Sequence, residues 1–305
     1  MGKVAFVFPG QGAQYPGMGR ELAEISPAAA EVFRMADSIR PGTSQQCFEG
    51  PEEALRETKI TQPCMFAAEM AAAAALEEAG IHADCAAGFS LGELAALSYG
   101  RVVDISTGFW LVCRRGELMQ SCAEACDTSM AAVVKLSNEA VENICARFAG
   151  VYPVNYNCPG QVTVAGLKAQ MADFSAAVKA EKGRALPLKV SGGFHSPFMA
   201  DASEKFGKLL DTVEFAAPAI PLYSNVTGYP YEGDMKQLLA RQICSPVRWE
   251  TIVRNMIAEG VDTFIEVGPG NVLQGLIKKI DPSVRTFGVS DAESLKIAVQ
   301  EVKPC

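Results

Sequence analysis

Apolar residues recur along the chain at two spacings. The unbroken run Val4-Ala5-Phe6-Val7-Phe8 predicts a buried strand, closed by the turn FPGQGAQYPGMG, whose glycines and prolines cannot extend it. Apolar positions at helical spacing then cover about 17–37, 51–56 and 62–79, the last holding the alanine run Ala71–Ala75. A short strand is predicted near 83–88, followed by a tight turn and another helix.

From 130 to 190 the pattern changes. MAAVVKL (130–136) is strand-like, 137–148 is helical, and PVNYN and QVTVAG flank the turn CPG. A helix near 167–182 and the strand-like RALPLKV follow. The order β-α-β-β-α-β is the ferredoxin-like arrangement. The alternation then resumes with IPLYSNV, helices near 233–243 and 249–259, and the strand and turn TFIEVGPG. The prediction is an α/β fold: a hydrolase-like parallel-sheet domain from 1–127 and 193–305, interrupted by a ferredoxin-like subdomain at 128–192.

The turn after 83–88 contains Gly88-Phe89-Ser90-Leu91-Gly92. Glycines two residues either side of a serine suit a sharp strand-to-helix turn that lifts the hydroxyl into the open, where a larger side chain would clash. The pattern is short and recurs by chance, so the rest of the chain has to say whether Ser90 attacks anything.

Composition narrows the field. With 305 residues, 49% of them hydrophobic and 20% charged, the chain can bury a large core in about two domains. A net charge of −8 argues against nucleic acid as a partner. Local basic pairs, Lys278-Lys279 and Lys182 with Arg184, could still meet an acidic partner. No apolar run is long enough to span a bilayer, and the opening MGKVAFVFPG lacks the apolar run of a signal peptide. The ten cysteines are scattered among apolar residues, and Cys122 and Cys126 are the closest pair. With only His82 and His195 and no Cys-x-x-Cys, a zinc site is not expected, and reduced thiols in a cytoplasmic protein are.

A serine nucleophile needs a base. His82 lies in the polar connection IHAD and reads as a surface residue. His195 lies in SGGFHSPFM at the far seam of the insertion, where a cleft between two domains would form. Asp104, Asp127 and Asp173 are candidates for a third, acidic member, but none sits in a convincing strand-end loop. A hydrolase triad would also place its histidine late, and the glycine-rich oxyanion motif of lipases is missing. Arg115 falls on the apolar face of a helix through 109–120, with Leu111, Val112, Leu118 and Met119, while Arg114 and Glu117 turn to the polar side. A guanidinium there either makes an internal ion pair or waits as a planar fork for a carboxylate. The turns FPGQG (8–12) and EVGPG (266–270) each follow a strand, and their backbone N–H groups could face an anion.

Together, FPGQGAQYPGMG, GFSLGELAAL, RRGELMQ, NCPGQVTVAG, GGFHSPFM, RQICSPVRW and EVGPGNVLQGL resemble the malonyl-CoA:acyl-carrier-protein transacylases of fatty acid synthesis and the acyltransferase domains of polyketide synthases. The motifs keep that family's order and spacing over essentially the whole chain.

The resemblance implies a role for each matching position. Ser90 would be the nucleophile and His195 its base. The backbone N–H groups of Gln11 and Leu91 would form the oxyanion hole, and Arg115 would hold the malonyl carboxylate. Gln242 would orient the histidine through its main-chain carbonyl, so no acid is required. Malonyl-CoA and acyl carrier protein would be the partners, with no metal or redox cofactor. The family usually has histidine before the nucleophile, where this chain has Phe89. Phe194 before His195 resembles members selective for unbranched malonyl groups. A discrete acyltransferase serving a polyketide assembly line, a serine esterase or thioesterase, and a non-catalytic carrier-docking module are the alternatives.

Overall fold

A computed structural model describes residues 2–190 and 192–302. Ser191, which opens the stretch SGGFHSPFM, and Cys305 lie outside them, as do Met1, Lys303 and Pro304.

Among the described residues, nine strands form two sheets. The larger is wholly parallel and comprises β1 (Lys3–Phe8), β2 (Cys85–Gly88), β7 (Leu222–Tyr223), β8 (Val261–Val267) and β9 (Arg285–Val289), in the order β7-β2-β1-β8-β9. Central β1 is buried from Val4 to Phe8, as an apolar run covered on both faces requires. The smaller sheet comprises β3 (Thr128–Val134), β4 (Val151–Cys158), β5 (Gln161–Leu167) and β6 (Arg184–Pro187). It is antiparallel in the order β4-β5-β3-β6, with the helices Asn138–Cys145 and Met171–Ala180 between its strands. That is the ferredoxin-like order, so both halves of the predicted fold class are present.

Strand β4 is tied to the larger domain by an isolated bridge at Val247. Tyr156 N–H donates to the Val247 carbonyl at 2.9 Å, and Val247 N–H donates to the Val154 carbonyl at 2.8 Å. The end of β4 is thereby brought beside the carboxyl ends of β1 and β2.

Two long helices form the floor of the site. Thr58–Glu78 is buried along almost its full length, which its run of alanines permits by letting neighbours approach from all sides. Ile105–Ala125 begins at Asp104, whose Oδ1 accepts the Thr107 N–H at 2.8 Å. It packs on the first helix through Gly116, where a Cβ would lie 3.1 Å from the Thr58 carbonyl oxygen.

The predicted helix 17–37 is two helices, Arg20–Ile25 and Pro27–Ile39. Ser26 ends the first and caps the second, its Oγ accepting the Ala29 N–H at 3.1 Å, with Pro27 in the first turn. The helix expected at 109–120 runs from 105 to 125, and IPLYSNV pairs as a strand only at Leu222–Tyr223. No helix is long and apolar enough to cross a membrane among the described residues.

Candidate active site

Ser90 stands at the junction of β2 and the helix Gly92–Tyr99 with φ of 56°, a left-handed conformation that a non-glycine residue adopts only when its surroundings hold it there. The turn is dense. A Cβ at Gly88 would lie 1.8 Å from the Gly92 carbonyl carbon, and one at Gly92 would lie 2.3 Å from the Phe8 carbonyl oxygen. Both glycines are therefore obligatory, because the obstructing atoms are backbone. Phe89 packs beneath the turn with its ring edge-on to Trp249, centroids 5.5 Å apart.

Asn225, just beyond β7, clamps this turn. Its Oδ1 accepts the Ser90 N–H at 2.8 Å and its Nδ2 donates to the Gly88 carbonyl at 2.6 Å. Its own N–H donates to Glu93 Oε1 at 2.9 Å, and Tyr231 Oη donates to the same oxygen at 2.6 Å. Glu93 is fully buried, and burial pushes its carboxyl up to about 7 against the pull of these donors.

His195 Nε2 lies 2.7 Å from Ser90 Oγ. Its Nδ1 is 2.8 Å from the main-chain carbonyl of Gln242, which can only accept, so Nδ1 carries the proton and Nε2 presents a lone pair to the hydroxyl. His195 is itself at φ 60°, and its N–H donates to the Ile243 carbonyl at 3.2 Å. Burial lowers its pKa to about 4, with the charge of Arg115 contributing. The imidazole is therefore neutral at physiological pH.

Arg115 is fully buried. Its Nη1 donates to Gln62 Oε1 at 2.9 Å, and its Nη2 donates to Gln242 Oε1 at 2.7 Å and to Ser90 Oγ at 3.3 Å. Burial lowers its pKa to about 10, which leaves it charged. No carboxylate lies within ion-pair distance among the described residues, so the guanidinium is held by neutral oxygens and Nε has no partner. Neighbouring Arg114 instead pairs with Glu117 at 2.7 Å on the exposed side of the helix.

Ser90 and His195 border a cavity of about 100 Å³ lined also by Gln62, Met119 and Phe194, with Gln11 and Leu91 on its wall. Neither the Gln11 nor the Leu91 N–H donates to an acceptor among the described residues. A second cavity of about 230 Å³ adjoins it, sharing Gln11, Phe89, Asn155 and Leu188. Asn157, Gln161, Thr163 and the apolar Val272 and Leu276 line it farther out, and the buried Oδ1 atoms of Asn155 and Asn157 have no hydrogen-bond partner among the described residues.

The structure thus brings Ser90, His195, Arg115, Gln242, Gln11 and Leu91 to one place. It leaves His82 exposed at the surface, 3.7 Å from Glu77. Asp104 is spent capping a helix, and Asp127 faces Lys168 at 3.4 Å in the open. Gln62, Glu93, Asn225 and Tyr231 belong to the site without having been singled out from the sequence. Their residue types are ordinary, and only the polar Gln62 at the start of an apolar helix hints at a buried task. No cluster of potential metal ligands occurs among the described residues.

Residues 5–299 match the acyl transferase domain family. The malonyl CoA-acyl carrier protein transacylase of Bacillus subtilis is 39% identical, over 99% of this chain and 98% of that protein. The crystal structure of malonyl CoA-acyl carrier protein transacylase from Clostridium perfringens superimposes with a TM-score of 0.95 at 34% identity, covering 98% of this chain and 97% of that one. A malonyl-transacylase solved in complex with a type II PKS acyl-carrier protein gives a TM-score of 0.94 at 36% identity, covering 98% and 99%. A match spanning the parallel sheet, the insertion and every residue of the cavity establishes that this chain belongs to the acyl transferase family.

Proposed function

We propose that the protein moves a malonyl group from CoA to the phosphopantetheine thiol of acyl carrier protein through an ester on Ser90. The observation that carries this reading is the position of Ser90 Oγ, 2.7 Å from a neutral imidazole nitrogen and 3.3 Å from a buried guanidinium. A base alone would suit any esterase; the buried cation asks for an acyl group that ends in an anion.

The chemistry runs in two halves. Ser90 Oγ attacks the thioester carbonyl as Nε2 of His195 takes its proton, and the carbonyl electrons move to an oxygen facing the N–H groups of Gln11 and Leu91. Collapse of the tetrahedral species breaks the carbon–sulfur bond, and the CoA thiolate leaves with the proton from His195. The carrier thiol then gives its proton to His195 and attacks the ester carbonyl; the second tetrahedral species collapses by breaking the bond to Ser90 Oγ, which takes the proton back from His195. Meanwhile the malonyl carboxylate takes up hydrogen bonds from Arg115.

The adjoining cavity suits the arm that both thiols share. Its apolar wall accommodates a chain, and Asn155, Asn157, Gln161 and Thr163 add polar side chains beside which amide groups of that chain can lie. Lys279, whose Nζ donates to Gln161 Oε1 at 3.3 Å, stands near its outer end and offers charge to a phosphate or an acidic carrier. The chemistry needs no metal or redox cofactor, and the nine described cysteines, all free thiols, suit a cytoplasmic setting.

Intact mass after incubation with malonyl-CoA, followed by peptide mapping, tests the reading. The expected result is one malonyl adduct on Ser90 that disappears on adding carrier protein. No adduct, or one on a cysteine, overturns it. Supply of a polyketide assembly line remains a second reading, favoured by the likeness to a transacylase solved with a type II PKS carrier. Rates of transfer to carriers of the two pathways distinguish the two.

A further inference from the structure

Gln242 touches Ser90, His195 and Arg115, and it does so with three different atoms. Its main-chain carbonyl holds His195 Nδ1 at 2.8 Å. Its side-chain Oε1 accepts from Arg115 Nη2 at 2.7 Å, and its Nε2 donates to the Ser90 carbonyl at 2.6 Å. The last contact matters most. Ser90 C=O and Leu91 N–H belong to a single planar trans peptide, so whatever fixes the direction of the carbonyl fixes the opposite direction of the N–H.

Nothing else can set that peptide as well. It follows a residue at φ 56°, where the backbone has little intrinsic preference to stay. Its carbonyl otherwise receives only the Glu93 N–H, at 3.2 Å. The Leu91 N–H itself makes no bond within the described protein and so cannot anchor its own plane. Gln242 is buried, and its amide cannot rotate by half a turn. The guanidinium can only donate and the carbonyl can only accept, so its O and N ends are fixed by their partners.

We propose that the side chain of Gln242 is a positioning residue for the oxyanion hole: it aims the Leu91 N–H through the Ser90 carbonyl, a task separate from its main-chain bond to His195. The inference rests on the acyl-serine reading above. It implies that the amide acts on the tetrahedral step of any acyl group, whether or not Arg115 is engaged.

The test is a double-mutant cycle read with acetyl-CoA, which has no carboxylate for Arg115. Gln242→Ala keeps the main-chain carbonyl, and Gln242→Met does so while filling the same space, should the alanine protein not fold. Acylation of Ser90 is followed by quenched-flow mass spectrometry in Arg115→Ala and in the two double variants. Loss of an oxyanion donor slows turnover by roughly 10²–10³-fold, so mis-aiming one should cost about 10–100-fold in kcat with KM within about twofold. The pH profile should keep the acid limb of the Arg115→Ala parent, because the histidine bond is intact. Equal rates in parent and double variants would overturn the proposal, since the amide would then act only on Arg115. A displaced acid limb would overturn it too, by showing that the side chain acts through His195. Absence of any Ser90 adduct in the unmodified protein would instead be a failure of the acyl-serine reading.

Discussion

Arg115 Nη2 lies 3.3 Å from Ser90 Oγ, so the cation that would select the acyl group and the atom that would attack it are in direct contact. The guanidinium spends its bonds on the neutral oxygens of Gln62, Gln242 and Ser90, each of which a carboxylate can outcompete. Breaking a buried charge pair costs roughly 3–5 kcal/mol, or about two to four powers of ten in a rate constant. Arg115→Ala is therefore expected to lose malonyl transfer by about that factor while acetyl transfer holds or rises. Arg115→Lys should recover only part, because an ammonium lacks the fork. Specificity constants for the two thioesters on folded proteins decide; equal losses for both would make the arginine structural.

The pH dependence of acylation follows from His195. Its pKa is lowered from 6.5 to about 4, so the base is free of its proton through the neutral range and is lost only as pH falls through about 4. Burial is the larger cause, and the charge of Arg115 adds to it. The acid limb of the acylation rate with acetyl-CoA should therefore lie well below pH 6 and move upward in Arg115→Ala. A limb near 6.5 in the unmodified protein would mean that His195 is far better solvated than its surroundings allow.

Ser90, His195 and Arg115 could be read from the sequence because each is a conspicuous residue in a conspicuous place: between two glycines, in a loop at a domain seam, on an apolar helix face. Asn225 could not. It looked like the end of a strand in IPLYSNV, whereas pairing stops at Tyr223 and the next two residues turn away towards Ser90. Its task depends on contacts 135 and 137 residues away, and no local pattern encodes those. The same limit hid Gln62. In the fold, the break at Ser26-Pro27 was legible as a cap followed by proline, but the apolar spacing runs through it and masked the signal. The helix Ala200–Leu210, strand β9 and the helix Ala292–Val302 were not anticipated at all.

Asn225 should prove as sensitive as the Ser90 turn itself. Alanine there removes both bonds across the elbow and leaves the Ser90 N–H and Gly88 carbonyl unpaired. At about 1–3 kcal/mol for each unsatisfied buried group, the expected loss is roughly 2–6 kcal/mol of stability, with slower acylation in whatever remains folded. Asn225→Asp should do no better, because a carboxylate cannot donate to the Gly88 carbonyl. Urea melts of both variants provide the measurement. A neutral Asn225→Asp would show that the contact to Gly88 carries no weight.

Glu69 offers the opposite expectation, a substitution that stabilises. It lies midway along the helix Thr58–Glu78, fully buried, and neither carboxyl oxygen has a hydrogen-bond partner within the described protein. Its methylene carbons do useful packing: the Cγ would sit 2.7 Å from a Cβ placed on Gly268, so only glycine fits opposite it. Burial, and then the nearby Glu266, raise its pKa well above 4.5. The folded protein therefore keeps a proton that the unfolded chain gives up, and stability present below about pH 4.5 is lost progressively as pH rises above it. Glu69→Met keeps the packing carbons and removes both the orphaned oxygens and the titration. The expected gain is about 1–3 kcal/mol, a rise in Tm of several degrees that is larger at pH 8 than at pH 5. Thermal melts at the two pH values are the check. A lower Tm, or a gain independent of pH, would mean that the carboxyl is ionised and partnered in solution.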